Sequence, residues 1–140
     1  MKTLLNSSLL FALLVITPTP CFALIIIEPV SKERAKQLGV ELRLKGSGTN
    51  EVWVELEFKA DGELKDFSHV SLEIREEGEL LVGYVPLRGQ PSDSGRVHVG
   101  FMANRAYLKK VILRMVTSRP KDIKGFDLLV MDFVDPEKLR

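Results

Sequence analysis

From Val40 onward apolar and polar residues alternate with a period of two, the pattern of strands that bury one face. Val40, Leu42 and Leu44 fall on one side, and Glu41, Arg43 and Lys45 on the other. Residues 46–50 (GSGTN) are loop formers, after which Val52, Val54, Leu56 and Phe58 resume the alternation, so 40–45 and 51–59 are expected to form a hairpin. A symmetric five-residue loop would set Lys45 opposite Glu51, Leu44 opposite Val52, Arg43 opposite Trp53 and Leu42 opposite Val54. That register stacks the Arg43 guanidinium on the outward Trp53 indole. Beyond the turn-rich stretch 60–68 (ADGELKDFS), Val70, Leu72 and Ile74 alternate with His69, Ser71, Glu73 and Arg75. The segment 76–79 (EEGE) predicts a second hairpin turn with Gly78 at positive φ.

The later strands lose this one-sidedness. Residues 80–87 (LLVGYVPL), 111–116 (VILRMV) and 126–134 (FDLLVMDFV) are apolar on both faces, whereas Val97, Val99 and Phe101 alternate again. About seven strands separated by Gly, Pro, Asp and Ser turns, with no long helix, predict an all-β fold: an antiparallel two-sheet sandwich of immunoglobulin-like size, with a closed small barrel as the alternative. A short helix precedes them over 31–38. Ser31 is its N-cap, KERAKQL its body and Gly39 its left-handed stop.

The N-terminus has a different character. Lys2 followed by Leu9 to Ile16 (LLFALLVI) and a Pro-broken tail ending at Ala23 has the form of a signal peptide, residues 1–23, cleaved to leave a single domain at 24–140. The alternative is an uncleaved N-terminal membrane anchor, against which Pro18 and Pro20 stand because they halve the apolar run. Cys21 lies in a context unlike a lipoprotein site. An exported protein, periplasmic or secreted, is therefore expected, with no membrane span after cleavage.

Removing residues 1–23 takes Lys2 from the 20 basic residues and nothing from the 19 acidic ones, leaving a net charge of zero. A chain with no net field has little long-range attraction for nucleic acid or anionic lipid, and neither is expected as a partner. The only cysteine lies in the leader, so the domain must be stable without a disulfide.

Signatures of catalytic chemistry are largely missing from the sequence. Gly-x-Ser-x-Gly, His-Glu-x-x-His and phosphate-loop motifs do not occur, and the mature chain has no thiol. An enzyme is not expected, and no cofactor is implied. His69, Glu73 and His98 would form a two-His, one-carboxylate metal cluster only if their strands were neighbours, and solvated histidines are the preferred reading. Asp61-Gly62-Glu63 and Ser92-Asp93-Ser94-Gly95 read as turns rather than calcium loops. Glu55 and Glu57 read as a solvated sheet face rather than an acid–base pair.

The surplus of apolar residues is the sharper clue. If Leu81, Val85, Val111, Leu113, Met115, Phe126, Leu128 and Val130 fill the core, then Leu80, Val82, Tyr84, Ile112, Val116, Leu129, Met131 and Phe133 face away from it. Together with Trp53 they define a candidate protein-binding face, for a partner protein or a second copy. The competing reading places β-bulges near Gly83 or Asp132 that return half of them to the core. The functional expectation is an exported, non-catalytic β-sandwich module for protein–protein interaction or assembly. Its alternative is a small exported ligand- or metal-binding domain that uses surface histidines and carboxylates.

Overall fold

Alternation of buried and exposed residues organises a computed structural model that describes residues 25–46, 50–91, 94–119 and 122–135. The signal-peptide reading of residues 1–23 lies outside the described residues. The strands are β1 (Ile25–Pro29), β2 (Glu41–Gly46), β3 (Glu51–Lys59), β4 (Phe67–Glu76), β5 (Glu79–Leu87), β6 (Gln90–Pro91), β7 (Arg96–Asn104), β8 (Val111–Ser118) and β9 (Ile123–Leu129), with one helix, α1 (Lys32–Gln37). Nine described strands replace the expected seven. β1 and β6 are the additions: one adjoins the leader without alternating, and the other has only two residues.

Two sheets form, in the orders β1-β9-β8-β4-β5 and β2-β3-β7-β6. All pairings are antiparallel except β1 on β9, where Ile25 lies beside Ile123 and Pro29 beside Asp127. A single buried cluster draws Val52, Val54, Leu56, Phe58 and Val99 from the four-stranded sheet and Val70, Leu113, Met115, Phe126 and Leu128 from the five-stranded one, so the sheets face each other across one core. Phe58 and Phe67 bridge them edge-to-face, with ring centroids 4.8 Å apart.

Local signals account for the short elements. Ser31 caps α1 by accepting from the Arg34 N–H, and Gly39 beyond it has φ +66°. Arg34 donates to Glu28 at 2.6 Å and to Glu63 at 2.8 Å, tying α1 both to β1 and to the loop before β4. The Arg34 hydrogen bond holds the Glu63 carboxyl below the usual range. This clamp is accordingly complete above the ordinary glutamate pKa and is lost as pH falls through the depressed one. The β4–β5 hairpin closes on Glu77 and Gly78, both at positive φ, the two-residue turn whose twist matches that of the flanking strands.

The β2–β3 register differs from the sequence expectation by two residues. Leu44 pairs with Val54, Arg43 with Glu55 and Lys45 with Trp53. A shift of two keeps every side chain on its face, so alternation could not detect it. Arg43 does not cover Trp53; it forms ion pairs with Glu41 and Glu57.

Candidate interaction face

The outer side of the five-stranded sheet begins with β8 and β9. Leu113 and Met115 pair with Leu128 and Phe126 in the core, so the alternate pairs, Ile112 with Leu129, Arg114 with Asp127 and Val116 with Gly125, face outward. Arg114 and Glu73 of β4 are nevertheless only 4 % and 0 % exposed. The reason is a chain of four charges. The Arg114 guanidinium donates in a fork to Asp127, at 2.6 and 2.8 Å, and its remaining nitrogen lies 2.6 Å from Glu73. The other oxygen of Glu73 accepts from Arg75 at 2.9 Å. Two guanidinium groups and two carboxylates cancel, and each buried charge has an opposite partner.

Gly125 makes room for this arrangement. A Cβ at that position would lie 3.1 Å from Arg114 Cδ, so the arginine stem crosses β9 where a side chain is missing. Glu73 is therefore the buried centre of an ion network rather than a solvated outward carboxylate. The network was only partly legible in the sequence: Arg114 and Asp127 are lone charges within the apolar runs 111–116 and 126–130, whereas Glu73 sits among the alternating polar residues of 69–75 and gives no such signal. Only strand order shows that they meet.

Around these charges lie aliphatic side chains. Ile112, Val116 and Leu129 are half-buried, and β1 exposes Ile25, Ile26 and Ile27. Ile25, Ile27, Ile123 and Val116, with His69 and Arg114, line an open groove of about 300 Å³ at one end of the sheet. At the opposite edge, β5 leaves Leu80, Leu81, Val82 and Val85 each 41–50 % exposed. Leu81 and Val85 thus do not belong to the core, contrary to the sequence expectation, because an edge strand has a neighbour on one side only. Tyr84 belongs to β5, but its side chain lies outside the described residues.

The remaining residues of the expected face lie elsewhere. β9 stops at Leu129, and residues Val130–Phe133 form a 3-10 turn that packs Met131 and Phe133 against the core cluster. The break falls at the Asp132 position raised by the competing reading. The other irregularity also occurs, as a register shift where Leu72 and Ile74 pair with Val85 and Val82, bracketing Gly83.

Trp53 projects from the four-stranded sheet, on the opposite side of the molecule from the Arg114 network. Its ring lies over Gly100 of β7, where a Cβ would meet Trp53 Cε2 at 2.8 Å. Glycine on the neighbouring strand, not arginine on the hairpin partner, seats the indole. Gly100→Ala is expected to displace the ring and alter its fluorescence emission, whereas Arg43→Ala leaves the emission unchanged. The opposite pair of results would restore the arginine stack.

His69 and His98 sit in different sheets, on β4 and β7, so His69, Glu73 and His98 do not come together. Among the described residues no group of three or more metal-ligating side chains converges. His98 lies 3.7 Å from Glu57, and His69 lies 3.2 Å from the Ser68 hydroxyl. Glu55 is paired with Lys45 at 2.7 Å, and that hydrogen bond holds its carboxyl below the usual range. Among the described residues no helix is long and apolar enough to cross a membrane. Comparison with protein-family models, curated proteins and solved structures finds no match to this chain.

Proposed function

We propose that this chain is an exported, non-catalytic sandwich module of immunoglobulin-like size that binds protein through its five-stranded sheet. One observation carries the reading. Both edges of that sheet, β1 and β5, present exposed aliphatic side chains, and the half-buried Ile112, Val116 and Leu129 extend the apolar surface of β1 across β9 and β8, as far as the polar outward positions of β4. Unpaired strand edges offer backbone donors and acceptors to an incoming strand, and natural proteins blunt such edges with charge, proline or bulges, of which β5 has Pro86 and two register shifts against β4. Here six of the seven residues Ile25–Ile27 and Leu80–Gly83 are aliphatic and none is charged. Export rests on the leader-like composition of residues 1–23.

The test is to express the full chain and recover it as the cell processes it. A mass corresponding to cleavage after Ala23, in the exported fraction, supports export; retention of the whole 15.8 kDa chain in the membrane replaces it with the anchor. The binding reading expects either self-association by light scattering or binding of a hydrophobic dye by the folded protein. A strict monomer that leaves the dye unbound would overturn it.

A further inference from the structure

The chain's one tryptophan lies on the outer face of the four-stranded sheet, on the opposite side of the molecule from the face assigned to protein above. We propose that this second face binds carbohydrate, with one pyranose ring of a β-linked glucose or N-acetylglucosamine chain stacking on the Trp53 indole.

The seat of the ring sets what it can present. Three atoms of its six-membered ring lie within 3.0 Å of where a Cβ at Gly100 would stand, so the indole rests against the β7 backbone, and only glycine allows it. Trp53 nevertheless stays 36 % exposed. With one side against backbone, the side open to water is the other. Strand pairing fixes the border of that open side. Lys45 and Met102 pair with Trp53 from its two neighbouring strands, Glu55 pairs with Gly100, and His98 lies two residues before Gly100 on the same face of β7. Lys45 and Glu55 are joined by an ion pair of 2.7 Å.

That border selects the ligand class. A hot spot for protein is desolvated by the contacts around it, yet of these four neighbours only Met102 is apolar. A nucleotide would bring phosphates, but the basic residues of this face are already matched by carboxylates: Lys45 by Glu55, and Arg43 and Arg96 by Glu41 and Glu57. A pyranose with equatorial substituents fits both parts of the site. Axial C–H bonds on its flat faces oppose the electron-rich indole face. Its rim hydroxyls donate and accept, and so can use the carboxylate, ammonium and imidazole groups together.

The tryptophan reports on its own site. Titrating the processed full chain with cellotetraose and with chitotetraose is expected to change the emission saturably at millimolar sugar for at least one of the two. By calorimetry with that sugar, Trp53→Ala is expected to raise the Kd about tenfold or more, and Gly100→Ala, which keeps the ring but displaces it, about threefold or more. Circular dichroism checks that both variants are folded, and if Trp53→Ala is not, Gly100→Ala decides alone. Emission that neither sugar changes, or binding that either folded variant leaves intact, overturns the site. A Trp53→Ala variant that keeps its sugar affinity and instead loses self-association by light scattering makes the tryptophan a protein contact, and overturns it as well. Binding of hydrophobic dye, which reads the five-stranded sheet, is expected to be the same in parent and variants, so the protein-binding reading stands or falls separately.

Discussion

Arg114→Ala is expected to lower the free energy of unfolding by about 3–5 kcal/mol, the cost of stranding a buried charge whose partner has been removed. The geometry argues for the full effect. Arg114 is the only residue of the network that touches both carboxylates, so its loss leaves Asp127 without its fork and Glu73, fully buried, with Arg75 alone. The guanidinium stem also fills the space over Gly125, and alanine would empty it. Arg114→Lys should recover only part of the loss, because a single ammonium cannot donate a fork to Asp127 and reach Glu73 as well. Replacing both central charges, Glu73→Leu with Arg114→Met, should recover most of it, since Asp127 and Arg75 retain access to water. Urea unfolding, read as a change of midpoint at constant slope, measures all three. If Arg114→Ala unfolds within 1 kcal/mol of the parent, as an exposed surface ion pair would, the charges are not buried in solution.

Phe58→Ala should cost a comparable amount, about 3–5 kcal/mol, for a different reason. Phe58 is fully buried, and it meets Phe67 across the gap between the sheets. Truncation removes apolar contact from both layers at once and leaves a cavity that two hydrogen-bonded sheets cannot easily collapse to fill. Leu81→Ala provides the contrast. It removes a large aliphatic from the β5 edge, yet because half of that side chain is already in water the change should stay within about 0.5 kcal/mol. A large loss at Leu81 would mean that the edge grease serves folding, and the apolar edge would no longer point to a partner.

The contrast between these sites shows why apolar composition was an ambiguous guide. In β3 each outward residue is polar or aromatic and each inward one aliphatic or Phe, so the core positions Val52, Val54, Leu56 and Phe58 could be read directly. In 80–87 and 111–116 both phases are apolar, and the sequence offers no preference between a strand buried on two sides and one lying at an edge. The structure resolves the two differently: β8 is central, with alternate residues in the core, and β5 is an edge. The Asp132 position shows a third outcome, in which an apparent strand ends in a 3-10 turn and folds Met131 and Phe133 inward. The candidate face therefore keeps Ile112, Val116, Leu129 and Leu80, and acquires a charged centre that composition did not suggest; it loses Trp53 to the other sheet, Val82 to the side of its partner Ile74, which packs on the core, and Met131 and Phe133 to the 3-10 turn.

Short-range physics was legible along the chain. The two-residue period assigned faces, Ser31 and Gly39 bounded the helix, and Gly78 marked a tight hairpin, because each depends on backbone geometry within a few residues. Pairing was not legible, since it depends on which strands become neighbours. A two-residue slip in the β2–β3 hairpin preserves all alternation and still moves Arg43 from Trp53 to Glu55. The same holds for the strand order that joins Glu73 to Arg114 and separates His69 from His98: the interactions that select it act between residues far apart in the chain, and no local pattern records them.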